Sequence, residues 1–89
     1  MDRPRSVGIA WYEASDYPRI REVMEEAGGL PESYAAWLMS ATQVEREVSR
    51  SGVAVVRVRL EPDAFLAWCR ARGVVPNAKA RTDFVLDAG

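Results

Sequence analysis

Histidine is missing from this sequence, and cysteine occurs once, at Cys69. Without histidine the chain cannot build a Ser-His-Asp triad, and one cysteine cannot form a disulfide framework, a zinc cluster or a haem attachment motif. No stretch reaches 18 consecutive apolar residues, and no uninterrupted apolar segment follows the charged N-terminal run. We therefore expect no metal, no cofactor and no membrane association. A single thiol without an export signal predicts a cytoplasmic protein.

What the chain does contain is the composition of a folded protein. Its 89 residues are 48% hydrophobic and 28% charged, with a net charge of −1. This balance is typical of a globular protein, and the length accommodates one hydrophobic core. We predict a single domain over residues 1–89.

The residue pattern predicts six elements in the order β-α-α-β-α-α. Short apolar runs at 7–12 and 53–60 are rich in β-branched and aromatic residues, which is typical of strands. Four segments with apolar residues at helical spacing predict the helices, which begin near Asp16, after Pro31, at Pro62 and after Asn77. Glycines at 28, 52 and 73 are expected to end the first three helices.

The two helices between the strands suggest how the strands pair. Two antiparallel helices would return the chain to the end of the strand that it left, so the second strand should run antiparallel to the first. The prediction is an α+β fold with a small antiparallel sheet packed by helices. A sheet of two strands is marginal alone, so dimerisation could extend it to four.

One face of this sheet is the predicted interface. Alternation along the strands assigns to it small, apolar and basic residues, namely Gly8, Ala10, Tyr12, Val53, Val55, Arg57 and Arg59. A flat surface of this kind admits a close partner. The alternative is that the last two helices cover it and the arginine stems lie over it. The first interpretation predicts a non-enzymatic interaction module that self-associates, as a homo-oligomer, or binds a protein partner.

Two other functions would use different chemistry. Tyr12 could stack on a base while Arg57 and Arg59 contact phosphates, which would give a weak nucleic-acid binder. A net charge of −1 does not favour nucleic acid as the partner. Glu13 and Asp16 lie beside aromatic residues, where a small-ligand or enzyme site could form.

Glu45 is a candidate for a buried charge, because it falls inside the apolar stripe of the second helix. Burying a carboxylate without a partner is costly, so we predict an ion pair with Arg57 or Arg72, or a position at the open edge of the core. A catalytic role is the less favoured alternative. Cys69 lies beside Phe65 on an apolar stripe, which predicts core packing rather than a nucleophile.

Several segments carry a resemblance to other proteins. They are Ile-Ala-Trp-Tyr at 9–12, Tyr-Ala-Ala-Trp at 34–37, Phe-Leu-Ala-Trp-Cys-Arg-Ala-Arg-Gly at 65–73 and Ala-Arg at 80–81. Together they resemble a family of short uncharacterised bacterial proteins over almost the whole chain. The resemblance implies a free-standing bacterial protein. It implies no catalytic residue, because the shared positions are aromatic, apolar or capping ones.

Overall fold

The computed structural model describes residues 6–24 and 29–88. In chain order the elements are β1 (Ser6–Trp11), α1 (Tyr17–Val23), α2 (Tyr34–Arg50), β2 (Ala54–Arg59), α3 (Pro62–Arg72) and α4 (Ala78–Ala88). The described residues thus form an α+β structure with four helices and a two-stranded sheet, in the predicted order. The predicted end of the first helix at Gly28 lies outside the described residues.

The two strands are parallel, so the predicted antiparallel pairing is wrong. The lengths of the helices between them explain the difference. α1 has 7 residues and α2 has 17, which correspond to about 10 Å and 25 Å of rise. A strand of 6 residues is about 20 Å long. α2 alone is therefore long enough to return the chain to the starting end of the sheet, which gives a parallel β-α-β crossover.

Local signals set the helix ends. The side chains of Ser33, Glu61 and Asn77 each accept a hydrogen bond from a backbone N–H in the first turn of α2, α3 and α4. The cap at Asn77 confirms the prediction. α3 ends at Gly73, whose φ of +64° lies in the left-handed region that glycine adopts without a steric penalty.

The hydrophobic core lies largely beyond the carboxyl ends of the strands. Tyr12 and Leu60, the residues that follow β1 and β2, are both buried. They join buried residues from all four helices in one cluster: Tyr17, Ile20, Met24, Trp37, Phe65, Cys69 and Ala80. Cys69 therefore packs in the core as predicted, and burial raises the pKa of its thiol. The middle of the sheet, in contrast, has thinner cover.

Helices nevertheless lie on both faces of the sheet. Residues paired across the strands point to the same side, and neighbours along a strand alternate. On the first side a Cβ placed on Gly8 would lie 3.0 Å from Val85 Cγ1, so α4 packs there. On the second side the rings of Trp11 and Trp37 meet edge to face at 5.1 Å, so α2 packs there. These two sides are called the α4 face (residues 6, 8, 10, 54, 56 and 58) and the α2 face (residues 7, 9, 11, 55, 57 and 59).

Candidate functional site

The seven residues predicted to form one interface lie in several places. The α4 face carries Gly8 and Ala10, the α2 face carries Val55, Arg57 and Arg59, Tyr12 is buried beyond β1, and Val53 precedes β2. The prediction placed Gly8 and Ala10 on the same face as Arg57 and Arg59, whereas the observed register pairs Ile9 with Arg57. The parallel register separates the small residues of β1 from the arginines of β2, so these residues do not form a single surface. α4 also covers part of the Gly8 side, as the alternative interpretation expected.

Glu45 forms an ion pair with Arg57, which is one of the two partners predicted for it. The Nε and Nη2 of Arg57 donate to the two carboxylate oxygens at 2.7 Å and 2.8 Å. The guanidinium also lies 3.9 Å from the centre of the Trp11 ring. The Glu45 side chain is 20% exposed, which places it at the margin of the core. Hydrogen bonds from Arg57 hold the pKa of Glu45 below its usual value, with burial opposing them.

Arg59 contacts both carboxylates of the second candidate site. Its Nη2 lies 3.0 Å from Asp16 Oδ2, and its Nε lies 3.6 Å from Glu13 Oε1. A cavity of about 470 Å³ lies nearby, but its lining comes from α1 and from residues 14, 32 and 34, and includes neither carboxylate. A ligand or enzyme site at Glu13 and Asp16 would need a carboxylate that faces a cavity. Neither carboxylate lines that cavity, and both pair with Arg59.

Of the residues named for the nucleic-acid alternative, Tyr12 is buried, whereas Arg57 and Arg59 are half exposed but already paired. Tyr12 is 2% exposed, so its ring cannot stack on a base. Arg57 and Arg59 hold their guanidinium groups in ion pairs with Glu45 and Asp16. A phosphate would have to displace those carboxylates.

Sequence analysis predicted that the two-stranded sheet could be extended, but it did not identify the free edge of β1 as the place. The N–H of Leu60 donates to the carbonyl of Trp11 at 3.0 Å, so the backbone of Trp11 faces β2. The N–H and C=O of one strand residue point to the same side, and consecutive residues alternate. The backbone groups of Gly8 and Ala10 therefore point away from β2. Among the described residues, no backbone hydrogen bond outside the strand pair reaches either of them.

This open stretch ends at Tyr12. The backbone of Tyr12 also points away from β2 by the same alternation. Its carbonyl accepts a hydrogen bond from the Tyr34 hydroxyl at 3.0 Å. The outward acceptor at the carboxyl end of β1 is thus already satisfied, whereas the positions at Gly8 and Ala10 stay available for a partner.

A groove of about 420 Å³ lies against this free edge. Val85 and Leu86 of α4 form one wall, and Trp37 of α2 contributes to the other, while no residue of β2 lines it. Because α2 and α4 cover opposite faces, a groove lined by both of them and by β1 must open at the edge of β1 that faces away from β2. Leu86 is 72% exposed, so the wall offers apolar surface to a ligand.

The free edge of β2 has a different character. Parallel pairing directs the backbone of Val55, Arg57 and Arg59 away from β1. Charged side chains on an edge strand oppose the addition of a further strand. β1 has no charged residue and no proline between Ser6 and Trp11. This asymmetry is visible in the sequence, and it was the signal from which the site could have been found.

Arg81 lies at the Tyr12 end of the groove. Its Nη1 donates to the Tyr12 hydroxyl at 2.9 Å. Burial raises the pKa of that hydroxyl, an effect that Arg81 partly opposes, so the hydroxyl is neutral at physiological pH and does not cancel the charge on the guanidinium. Within residues 6–24 and 29–88, no carboxylate oxygen lies within 4.0 Å of an Arg81 nitrogen.

No protein-family model matches the chain, and comparisons with curated proteins and with solved structures found no similar protein. The resemblance to short bacterial proteins therefore stays a prediction. In the part of the chain that the structure describes, none of the helices combines the length and the apolar character needed to cross a bilayer.

Proposed function

We propose that this protein is a non-enzymatic interaction module that binds an extended segment of a protein partner as a third strand beside β1. The observation that carries the proposal is the pair of outward-facing backbone positions, Gly8 and Ala10, at an apolar groove. Each position offers one N–H donor and one C=O acceptor. An extended peptide is the ligand whose backbone matches such a row, as in other cases of strand addition.

The side chains around the edge suit this mode of binding. Gly8 and Ala10 are small, so a neighbouring backbone can approach the strand closely. The exposed part of the apolar wall, at Leu86, can receive alternate side chains of the bound segment, because successive residues of a strand point to opposite faces. A third strand would also add cover to a sheet that two strands stabilise only marginally.

A second copy of this chain fits the edge less well than a simple extended segment. Two β1 strands paired around a two-fold axis normal to the sheet would carry their α4 helices on the same face. Adjacent strands lie about 4.8 Å apart, whereas packed helices need about 8–10 Å between their axes. α4 packs on β1 rather than on β2, so the two helices would meet before the strands could pair. We therefore assign the edge to a segment of a different protein. The single cysteine predicts that the two proteins meet in the reducing cytoplasm.

The test is a selection from a random dodecapeptide library displayed on phage, with the wild type and two proline variants as targets. Ala10→Pro removes an outward N–H of β1, and Val55→Pro, the matched control, removes an outward N–H of β2. Neither change removes a hydrogen bond between the strands. We expect the wild type and Val55→Pro to select the same peptides, and Ala10→Pro to bind them about tenfold more weakly or worse.

Thermal melts of the three proteins check that each folds. Equal binding of the selected peptides by Ala10→Pro, or a failure of the wild type to select any peptide, contradicts strand addition at β1. Light scattering at micromolar concentrations is expected to give the mass of one chain. A dimer that Ala10→Pro dissociates would overturn the assignment to a different protein and give the edge to a second copy.

A further inference from the structure

The groove beside β1 is mostly apolar. Among the residues that line it, all within the described part of the chain, Arg81 alone is charged. The rest of the lining is apolar, small or neutral, including Ile9, Trp37, Val85 and Leu86. Arg81 is partly buried, and among the described residues the hydrogen bond from its guanidinium to a side chain goes to the neutral Tyr12 hydroxyl. The groove therefore presents a single positive charge that no carboxylate within the described residues balances at close range.

We propose that the segment bound beside β1 carries an acidic residue whose carboxylate pairs with Arg81. This inference rests on the proposed strand addition and specifies the chemistry of the partner. A bound strand would exclude water from the groove and strengthen an ion pair inside it. The same strand with only apolar residues would bury the Arg81 charge further, and no carboxylate of residues 6–24 and 29–88 lies close enough to compensate, which is unfavourable. A lysine at that position would be repelled, so the arginine selects between partners.

The packing of α4 gives the position of the acidic residue. Val85 lies over Gly8, and Arg81, one helical turn earlier, contacts Tyr12. α4 thus runs antiparallel to β1, with Arg81 at the carboxyl end of the strand. The acidic residue should therefore lie at one end of the paired segment, just beyond the residue that hydrogen-bonds to Ala10. The expected pattern is a short run of alternating apolar residues that is flanked on one side by aspartate or glutamate.

The same dodecapeptide library tests this pattern with three further variants. Arg81→Gln removes the charge, Arg81→Lys keeps it, and Arg70→Gln is the matched control because it removes one positive charge from an exposed position on α3. Peptides selected by the wild type, by Arg70→Gln and, less strongly, by Arg81→Lys should carry an acidic residue at one end of the alternating run. Arg81→Gln should select the run without the acid.

Fluorescence anisotropy with one selected peptide and its glutamate-to-glutamine analogue measures the pair directly. We expect the analogue to bind the wild type about tenfold more weakly and to bind Arg81→Gln as well as the parent peptide does. Equal affinities of both peptides for the wild type would overturn the inference. If the selected peptides depend on Ala10 but show no acidic preference, the pairing with Arg81 fails while strand addition stands. If no peptide depends on Ala10, strand addition itself fails.

Discussion

Replacing Gly8 with alanine tests how closely α4 packs on β1, and α4 forms one wall of the groove. The new Cβ would lie 3.0 Å from Val85 Cγ1 and 3.3 Å from Val58 Cγ2. Carbon atoms in contact normally stand about 3.5–4.0 Å apart. Val85 is 5% exposed, and its branched side chain has little rotamer freedom, so relief requires α4 to move. The extra methyl group therefore overpacks this contact.

Gly8→Ala is expected to lower the free energy of unfolding, although a Gly→Ala change outside a helix often raises it. Gly→Ala at a compatible position raises the free energy of unfolding by about 0.4–1 kcal/mol. Overpacking lowers it by about 1–3 kcal/mol. We expect the second effect to prevail at Gly8, with a net loss of about 1 kcal/mol in the wild-type background. With Val85→Ala the closer of the two obstructing side chains is shortened and only the contact with Val58 remains, so the same change should cost clearly less free energy of unfolding.

Urea unfolding of the wild type, both single variants and the double variant measures this coupling. If Gly8→Ala changes the free energy of unfolding by the same amount in both backgrounds, α4 does not pack on Gly8 as described. The wall of the groove would then lie elsewhere, and the proposal for the β1 edge would lose one of its supports.

Three further predictions concern the rest of the structure. The pKa of Glu45 is lowered from its usual 4.5 by Arg57, so the ion pair stabilises the fold above pH 4.5 and is lost as pH falls below it. Glu45→Gln should therefore flatten the acid side of a plot of Tm against pH, and an unchanged slope would argue against the pair. Phe65→Ala, at a fully buried position, should lower the free energy of unfolding in urea by about 3–5 kcal/mol, and a loss below 1 kcal/mol would contradict its place in the core. Gly73→Ala, at φ +64°, should cost about 1–2 kcal/mol in the same assay, whereas a gain would show that α3 ends differently.

The parts of the fold that local chemistry determines were predictable from the sequence. The order of the elements, the cap at Asn77 and the end of α3 at Gly73 depend on residues within a few positions of each other. The sequence also predicted an ion pair of Glu45 with Arg57 or Arg72, because a carboxylate inside an apolar stripe requires a cation nearby, and the structure shows Arg57.

Strand direction and the composition of the site were not predictable in the same way. Side chains alternate along each strand, as the sequence predicts. The register between the strands decides which residues of β1 share a face with which residues of β2. A shift of one residue reverses that relation. Strand direction in turn depends on α1 being a short helix of 7 residues rather than a second helix as long as the sheet. Neither property is set by residues near Gly8 or Ala10. The sequence therefore indicated that the sheet could be extended, and the lack of charge in β1 was the one local signal for which edge is free.

The crossover between the strands has a consequence for the newly made chain. β1 is translated first, and its mate, beginning at Ala54, leaves the ribosome only after the whole of α2. Because synthesis proceeds at about 5–20 residues per second, β1 remains unpaired for roughly 2–10 seconds. During that interval the six residues of β1, which are uncharged and mostly apolar, can contact other unfolded chains. We expect rapid expression to lower the yield of native protein, and chaperones that shelter extended apolar segments to restore it.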